Sequence, residues 1–575
     1  MVQVFINDRA VEVPENFTVL QAAQKAGVRI PTLCYLKDIN AIGACRVCLV
    51  EVKGARALQA SCVLPVSEGM RVYTQTPQVL EARKSVLKLI LSDHPKDCLT
   101  CIRNQSCELQ RVCGELGIEE IPYEGRPRDI PADTGSPSIV RDPAKCILCR
   151  RCVSVCKQQN VHAIGTINRG YDTLVAPAFE RSLNEGNCVN CGQCIASCPV
   201  GALYEKDSIE AVQRAIADPG KHVVFQTAPA VRVALGEEFG IPIGTRVTKK
   251  MVAAIRRLGA DQVFDTDFAA DLTIMEEGTE LIGRIQNGGV LPMITSCSPG
   301  WIKFCEHNYP ELLPHLSSCK SPHEMLGAVI KSWYAQRNNI DPKDIFVVSV
   351  MPCTAKKFEA QRGELAAVDG LPDVDAVLTT RELARMIKQA GLEFEALPDE
   401  EFDPILGDST GAGVIFGASG GVMEAALRTV ADILTGQDLP EFEYTAVRGL
   451  EKVKEATVQM GDLAVKVAVA HGTGAATELM ERVKAGGSGY TFIEIMGCPG
   501  GCVSGGGQPI VSAQTRMQKD FRALRASAVY GEDKDLPVRK SHLNPSIQHL
   551  YADFLGEPGS HTAHELLHTH YIPRG

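Results

Sequence analysis

The stretch that decides the organisation of this chain is Cys146-Ile-Leu-Cys149-Arg-Arg-Cys152-Val-Ser-Val-Cys156, whose spacing returns in Cys188-Val-Asn-Cys191-Gly-Gln-Cys194-Ile-Ala-Ser-Cys198. Spacing of this C-x2-C-x2-C-x3-C kind is typical of paired 4Fe-4S clusters in which the fourth cysteine of each run binds the other cluster. A short loop with three thiolates can hold one face of a cubane, so the fourth ligand comes from farther away. We predict one cluster on Cys146, Cys149, Cys152 and Cys198, and a second on Cys188, Cys191, Cys194 and Cys156. Structural zinc is the alternative.

The overall composition points to the same metal or redox chemistry. The chain has 575 residues, of which 22 are cysteine, and a large chain without an export signal rarely uses so many in disulfides. Hydrophobic residues make up 45% and charged residues 22%, a globular balance that excludes disorder along most of the chain. No apolar run predicts a membrane span, and the net charge of −10 disfavours nucleic acid as a main partner. We expect a cytoplasmic protein of several domains.

A second set of four cysteines lies near the N-terminus. Cys34, Cys45, Cys48 and Cys62 have C-x10-C-x2-C-x13-C spacing, and the residues before them read as two short strands and a helix. This module, residues 1–78, resembles the 2Fe-2S ferredoxin-like domain of complex I's large peripheral iron–sulfur subunit. The resemblance implies a β-grasp fold that holds one 2Fe-2S cluster, and a zinc ribbon is the alternative.

The next motif contains a histidine. His94, Cys98, Cys101 and Cys107 have H-x3-C-x2-C-x5-C spacing within residues 79–120, which read as helices with these residues on the connections. An imidazole in place of a thiolate makes a cluster site less negative and raises its potential, as in Rieske centres. The motif again resembles the complex I subunit, which implies a 4Fe-4S cluster with one His and three Cys ligands. Taken alone, His94 is more simply a loop residue, and we expect Cys113 to be a buried apolar residue.

Three further cysteine segments lie in a region of alternating buried strands and helices, residues 207–510. They are Thr295-Ser-Cys297-Ser-Pro-Gly-Trp301, Met351-Pro-Cys353-Thr-Ala-Lys-Lys357 and Glu494-Ile-Met-Gly-Cys498-Pro-Gly-Gly-Cys502. All three resemble the signatures of iron-iron (FeFe) hydrogenases, and the resemblance covers essentially the whole chain. It implies an H-cluster, a 4Fe-4S cubane joined by a shared Cys to a di-iron unit with CO, cyanide and an azadithiolate. By position, Cys353, Cys498 and Cys502 are implied ligands, with Cys502 bridging the two parts.

The first of these segments departs from the family pattern. Two adjacent cysteines are common where this chain has Cys297-Ser298. In the family the first carries protons and the second binds the cubane, so direct transfer makes Cys297 the carrier and leaves Ser298 at the ligand position. A shifted backbone would instead let Cys297 bind iron, at the cost of the proton relay. The sequence leaves both alternatives open.

The resemblance also implies a proton route to the metal site. Its carriers correspond to Cys297, Glu277, Ser317, Glu280 and Arg284, the last near the surface. Glu277 and Glu280 are three residues apart, so they share a face of a helix. Without the family motifs, a solvated acidic face is the simpler interpretation. With them, we predict successive proton stations, since buried carboxyls with a raised pKa suit that task.

The remaining pocket residues are implied by the same resemblance. Lys356 corresponds to the donor to one cyanide, and the loop at Ala228 and Pro229 donates backbone N–H to the other. Met351, Met496 and Phe416 are expected to pack on the di-iron unit, and His323 stands where Gln is common. The glycine-rich stretch 411–421 matches no nucleotide fingerprint, so we expect close backbone packing there, with Cys305 and Cys319 structural.

The predicted fold is multidomain α/β and α+β. The predicted domains are a 2Fe-2S ferredoxin-like domain (1–78), a domain with one His and three Cys ligands (79–120), a two-cluster ferredoxin-like domain (139–206), a large α/β catalytic domain (207–510) and a helical C-terminal segment resembling a small subunit (515–575).

Four function hypotheses follow. The first is reversible reduction of protons to H2, with electrons from ferredoxin. The second makes the chain one subunit of a larger, electron-bifurcating complex linked to NAD(P). The chain has no flavin or nicotinamide motif of its own, so flavin-binding partner subunits would be required. The third is a hydrogen-sensing or electron-transfer protein, and the fourth is a hydrogenase-like iron–sulfur assembly factor, which would lack the full proton route and the N-terminal clusters.

Overall fold

The computed structural model describes residues 1–126, 128–440, 442–461 and 463–574. Within those residues, no helix combines the length and the apolar character that crossing a membrane requires.

The N-terminal module is a five-stranded sheet covered by one helix. The strand order is β2-β1-β5-β3-β4, with β1 and β5 parallel. Helix α1 begins at the capping box of Thr18 and Gln21, which satisfies backbone N–H groups that a helix start leaves free. The elements are β1 (Val2–Ile6), β2 (Arg9–Val13), α1 (Val19–Lys25), β3 (Leu49–Val52), β4 (Gln59–Ala60) and β5 (Arg71–Tyr73).

Two helices and a small cysteine-rich module follow. Two antiparallel strand pairs, β6 with β9 and β7 with β8, frame two short helices that each carry cysteines of one run. Arg150 and Gly192 precede these helices in left-handed conformation and turn the chain sharply into them. The elements are α2 (Pro77–Ser92), α3 (Glu108–Glu115), β6 (Ile139–Arg141), α4 (Arg151–Gln158), β7 (Gly165–Ile167), β8 (Leu174–Ala176), α5 (Gln193–Ser197) and β9 (Leu203–Glu205).

The large α/β region is built on two four-stranded sheets. The first is fully parallel, in the order β11-β10-β13-β14, and its strands are apolar and buried on both faces. Its elements are α6 (Ile209–Ala217), β10 (His222–Thr227), α7 (Thr248–Leu258), β11 (Gln262–Asp265), α8 (Thr266–Asn287), α10 (Pro322–Val329), a π-helical turn (Ile330–Tyr334), α11 (Ala335–Asn338), β13 (Ile345–Met351), α12 (Lys356–Glu359), β14 (Ala376–Thr379) and α13 (Thr380–Gln389).

The second sheet is mixed, in the order β12-β17-β16-β15. Strand β17 is parallel to both β12 and β16, whereas β15 and β16 form an antiparallel hairpin. Within the apolar run of residues 289–294, only Met293 and Ile294 pair with a neighbouring strand. Pro292 has no N–H to donate to a sheet. The elements are β12 (Met293–Ile294), α9 (Pro299–Asn308), α14 (Gly411–Val414), α15 (Gly421–Thr435), β15 (Val453–Met460), β16 (Leu463–His471), α16 (Thr473–Lys484) and β17 (Phe492–Met496).

The C-terminal segment is helical, as expected, and packs on the α/β region. Arg525 donates to Glu237 at 2.7 Å, and Asp533 accepts from Arg428 at 2.9 Å. Buried arginines with carboxylate partners fix the segment in place, since either partner left alone would be a buried unpaired charge. Its helices are α17 (Ala513–Gln518), α18 (Phe521–Asp535), α19 (Pro545–Leu550), a π-helical turn (Tyr551–Leu555) and α20 (His561–Leu567).

The expected close packing at the glycine-rich stretch is present. A Cβ added at Gly413 would lie 2.4 Å from the backbone oxygen of Asp267, so only glycine lets α14 approach α8 this closely.

The first testable prediction compares two glycines that both lie in helices. Gly413→Ala should lower the free energy of unfolding by about 2 kcal/mol or more, because backbone atoms rather than a flexible side chain would have to move. Gly283→Ala, on α8 with no atom within 4 Å of the added Cβ, is the control and should be neutral or stabilising. The apparent Tm of the full chain measures both, and equal effects would refute the packing argument.

Candidate active site and metal centres

The two sheets of the α/β region end at one cavity. Strands β10, β12, β13 and β17 all run toward it, and the segments that follow them reach its wall. Carboxyl ends of parallel strands are where open α/β sheets bind their ligands, because the loops that follow the strands leave a crevice there. Each of the three predicted cysteine segments follows one of these strand ends, which places the three segments around one space.

About 730 Å³ of space free of protein atoms, part of it open to solvent, lies between these segments. Thiols, apolar side chains and one lysine line it, and every residue predicted for the metal site and its walls is among them. The other four residues of the predicted proton route, Glu277, Ser317, Glu280 and Arg284, do not line it. The lining residues are Ala228, Pro229, Thr266, Ala270, Cys297, Ser298, Pro299, Pro322, His323, Met351, Pro352, Cys353, Lys356, Phe416, Met496, Gly497, Cys498, Gly501, Cys502 and Gly505.

Three thiols converge on one side of this cavity. All three line the cavity. Cys353 contributes to the raised pKa of both Cys498 and Cys502, which requires the three sulfurs to lie close together. Burial raises the pKa of the Cys502 thiol to about 12, and cluster binding therefore has to displace protons. A buried set of thiols around an apolar cavity suits an iron–sulfur cluster, whose iron supplies the positive charge that thiolates need.

Cys297 and Ser298 face different neighbours. Burial raises the pKa of the Cys297 thiol well above its usual range, and Glu277 and then Cys502 add to the effect, so this thiol lies on the Glu277 side. The Ser298 hydroxyl instead accepts a hydrogen bond from the Gly497 N–H at 3.0 Å, beside Cys498. Cys297 thus lies near both Glu277 and Cys502, and Ser298 lies beside Cys498, so which of the two would bind iron stays a prediction.

Lys356 is held by a buried network that sequence reasoning missed. Its ammonium donates to Glu359 Oε2 at 2.5 Å and to the backbone oxygen of Cys297 at 3.2 Å. His323 also contacts Glu359 Oε2, at 2.7 Å, and its other ring nitrogen meets Ser349 at 3.0 Å. Burial acts to lower the pKa of His323, but the carboxylates of Glu324 and Glu359 outweigh it and the pKa is raised. The spacing of Lys356 and Glu359, one helical turn, was the available signal.

The predicted acids line up from the cavity toward the surface. Burial, then the charge of Glu280, raises the pKa of Glu277 to about 8, and the nearby Ser317 hydroxyl partly offsets this rise. Ser317 donates to Glu280 at 3.1 Å, and Arg284 donates to Glu280 at 2.6 Å. The side chains of Arg284 and Glu280 are each 16% exposed. Glu277 and Ser317 are buried. Ser317, Glu280 and Arg284 are thus joined by hydrogen bonds, and the order of the whole series stays a prediction.

The two cysteine runs form two sites with exchanged fourth members. Cys146, Cys149, Cys152 and Cys198 line one cavity of about 460 Å³. At the other site, the charges of Cys191, Cys188 and Cys156 all act on Cys194. Two cysteines of each run are buried and two are half-buried, and apolar residues surround them, so both sets suit clusters bound by thiolate.

The N-terminal sites are brought together to different degrees. The Cys34 thiol is within hydrogen-bonding reach of Cys45 and Cys62, and Cys62 of Cys48, so this set of four forms one group.

The histidine motif is less closed. Burial raises the pKa of the Cys107 thiol, with a smaller contribution from Cys101. Burial, then Cys107 and Cys98, raise the pKa of the Cys113 thiol, so these cysteines lie near one another. His94 lines a surface cavity with Cys45 and Cys146, which belong to other predicted sites, and not with Cys98, Cys101 or Cys107. Ligation by His94 therefore stays a prediction. Cys113 is half-buried rather than fully buried as expected, while Cys305 and Cys319 are buried.

Amide and hydroxyl side chains join the second cysteine run to the thiols of the large cavity. Gln193 donates to the Ser504 backbone at 2.9 Å, and Thr354 donates to the Asn190 backbone at 2.7 Å. Cys191 and Cys498 lie close enough for their charges to interact. These contacts cross more than 160 residues of sequence, so no local pattern predicted them.

Five family models match the chain. They are the 2Fe-2S iron–sulfur cluster binding domain (1–77), the NADH-ubiquinone oxidoreductase-G iron–sulfur binding region (83–122), the 4Fe-4S dicluster domain (126–202), the iron only hydrogenase large subunit, C-terminal domain (221–506) and the iron hydrogenase small subunit (519–574).

Similar proteins match over the same regions. The NADP-reducing hydrogenase subunit HndD of Solidesulfovibrio fructosivorans is 50% identical, with 100% of this chain and 99% of that protein covered. Iron hydrogenase 1 of Clostridium pasteurianum is 42% identical over 99% of this chain and 100% of its own length. A solved [FeFe]-hydrogenase structure from Chlamydomonas reinhardtii matches 64% of this chain and 99% of its own, with 43% identity and a TM-score of 0.58.

The second testable prediction concerns the ionisation of Glu277. Its pKa of about 8 in the folded chain lies above the ordinary 4.5. Between about pH 4.5 and pH 8 the unfolded chain loses this proton while the folded chain keeps it, so the free energy of unfolding falls as the pH rises. Glu277→Gln removes this cost and should stabilise the chain by at least about 1.4 kcal/mol, the equivalent of one pKa unit, above about pH 8. Near pH 4.5 the gain should vanish. The apparent Tm measures it, exposed Glu478→Gln is the control, and a gain independent of pH would contradict the assignment.

Proposed function

The chain belongs to the iron-only (FeFe) hydrogenase family, and from that premise we propose roles for its residues and a place for it in a larger assembly. The family assignment makes it an oxidoreductase that interconverts two protons and two electrons with H2, and that carries 2Fe-2S and 4Fe-4S domains beside the H-cluster domain. The observation that carries the proposed roles is the single cavity lined by Cys297, Cys353, Cys498, Cys502 and Lys356.

Cys353, Cys498 and Cys502 are proposed to hold the H-cluster, with Ser298 beside them at the position of the fourth ligand. When bound, the cluster supplies the redox chemistry by which protons and electrons become H2. Met351, Met496 and Phe416 give the cavity apolar walls, which exclude water and leave the polar contacts to Lys356. The expected backbone donors at Ala228 and Pro229 are not free, because the Ala228 N–H already donates to the Val350 oxygen at 3.1 Å and proline has no N–H. Ser298 is already an acceptor for the Gly497 N–H, so it positions the Cys498 loop.

Lys356 is proposed to act as the charged donor within the cavity. Its partner Glu359 is itself held by His323, so the ammonium is fixed in position rather than free to move. A donor fixed in this way needs no rearrangement when a ligand with negative charge enters.

Protons are proposed to pass along Arg284, Glu280, Ser317, Glu277 and Cys297. Glu280 takes a proton near the surface, and Ser317 passes its own hydroxyl proton on while it accepts another. Glu277 can bind and release a proton near neutral pH because its pKa is raised to about 8. Cys297 lies between Glu277 and Cys502, so its thiol is the last station before the cavity.

Electrons are proposed to enter through the N-terminal clusters and to leave the second cysteine run near Cys191. The contacts of Gln193 and Thr354 keep that run against the loop of Cys498. The whole-length similarity to a protein named as a subunit of an NADP-reducing hydrogenase supports partner subunits that supply the flavin and nicotinamide sites. Ferredoxin is a second proposed electron partner.

The third testable prediction separates proton transfer from metal binding. Glu277→Gln and Ser317→Ala should each lower H2 evolution from reduced viologen by about 10²-fold or more, the typical contribution of a positioned proton carrier. Iron content and the visible absorption of the matured variants should equal those of the native chain, since neither residue touches a cluster site. Native rates in both variants would remove the proposed route.

The fourth prediction tests the need for partners. The matured full chain should evolve H2 from reduced viologen under strict anaerobiosis but not from NADPH, and a flavin-containing partner subunit should restore the NADPH reaction. Cys101→Ser should weaken the NADPH reaction more than the viologen reaction, because a small dye can reduce inner clusters directly. A chain with full iron content and no viologen activity would favour sensing or electron transfer instead.

A further inference from the structure

The C-terminal end of the chain inserts a histidine beside the proton route. Residues 567–569 pair with residues 318–320: the Lys320 N–H donates to Leu567, and the Thr569 N–H donates to Ser318, both at 2.8 Å. This pairing holds His568 against the chain segment that carries Ser317. His568 Nδ1 lies 2.8 Å from the Ser318 hydroxyl.

A continuous series of hydrogen bonds then runs from this histidine to Glu280. Glu280 Oε2 accepts from the Ser318 hydroxyl at 3.1 Å, at the same oxygen that accepts from Ser317. On the other side of the ring, His568 Nε2 lies 3.0 Å from Glu276 Oε2. One ring nitrogen of His568, one carboxylate oxygen of Glu280 and the Cys319 sulfur lie within 4.8 Å of one another.

The donors and acceptors of this series require a shared proton. When the Ser318 hydroxyl donates to Glu280, its oxygen accepts from His568 Nδ1–H, and Nε2 then faces a carboxylate oxygen. A carboxylate and an unprotonated ring nitrogen are both acceptors, so one proton has to lie between Nε2 and Glu276. Glu276 is further held by the Tyr551 hydroxyl and by the Gly559 N–H.

The histidine also lies at the boundary with solvent. Its side chain is 5% exposed, whereas that of Glu276 is fully buried. The exposed His564 ring stacks on it, with 4.7 Å between centroids and 5° between planes. The other groups that face it are Glu276 and Glu280 from α8, Cys319 and Ser318 from the segment before α10, and Tyr551.

We propose that His568 and Glu276 form a second proton branch, which joins the main route at Glu280. His568 takes a proton at Nε2 from Glu276 while its Nδ1 proton moves to Ser318, and Ser318 passes its own hydroxyl proton to Glu280. The ring ends as the other tautomer, and Glu276 is left ionised. His568, the member of the pair with solvent exposure, then takes a proton from the medium at Nδ1 and returns its Nε2 proton to Glu276, which restores both groups. Each H2 uses two protons. A branch that joins the route at Glu280, on the side of Ser317 away from the cavity, can return a proton to Glu280 without any movement of Arg284. The proposal rests on the proposed route through Glu280.

The test uses the matured full chain and four variants. His568→Ala and Ser318→Ala should each lower H2 evolution from reduced viologen by at least about fivefold, less than the loss of a sole carrier because the Arg284 end stays intact. Added imidazole should restore the His568→Ala rate but not that of Ser318→Ala. Ser317→Ala reports on the main route, and His561→Gln, on a side chain that is 87% exposed, is the matched histidine control with a native rate.

A second readout does not depend on turnover. Infrared difference spectra between acidic and alkaline pH should show a protonated carboxyl band that Glu276→Gln removes and that His568→Ala shifts. Native rates in His568→Ala and Ser318→Ala together with a slow Ser317→Ala would overturn the branch and leave the main route standing. A native rate in Ser317→Ala as well would overturn the route itself. A slow His568→Ala that imidazole does not restore, with a native Ser318→Ala, would reduce His568 to a structural role and overturn the branch.

Discussion

Strands of two separate sheets have to end at the same cysteine-lined cavity, and the packing around that cavity depends on this constraint. Strands β10 and β13 of the first sheet and β12 and β17 of the second end at the same cavity, and three of the four lead directly into a cysteine segment. Loops that meet this closely leave little room for side chains. This is why glycine occurs where α14 meets α8, with only 2.4 Å between an added Cβ at Gly413 and a backbone oxygen.

The buried charges divide the surroundings of the cavity into two sides. Carboxyl groups and hydroxyls lie on the side of Glu277, where burial favours a protonated acid at neutral pH. Amide and hydroxyl contacts to backbone lie on the side of Cys191, where the second cysteine run approaches Cys498. Lys356 stands at the boundary, and its pairing with Glu359 keeps its charge from being an uncompensated ion in a low-dielectric site. The proposed proton and electron routes therefore reach the cavity from different directions.

The C-terminal segment is part of this arrangement rather than an appendage. Buried arginine pairs dock it on the α/β region, and its last residues pair with the segment that carries Ser317 and Ser318. Ser298 shows the same dependence on context. A hydroxyl at the position of a usual thiolate still has a structural partner in the Gly497 N–H, which keeps the neighbouring loop in place.

The sequence by itself determined the chemistry of this protein. Ligand spacing is a property of short runs of sequence, so the spacing of Cys146 to Cys156 predicted iron–sulfur clusters. The segments at Cys297, Cys353 and Cys498 indicated the hydrogenase family, which the similar proteins confirm. The alternation of buried strands and helices predicted a mixed α/β fold, because periodicity too is local. Only the tertiary structure decided which neighbours Cys297 and Ser298 have, and that Glu359 and His323 hold Lys356. It alone brought His568 to residues 250 and 292 positions earlier in the chain. Such contacts depend on how distant segments pack, and no spacing within either segment encodes them.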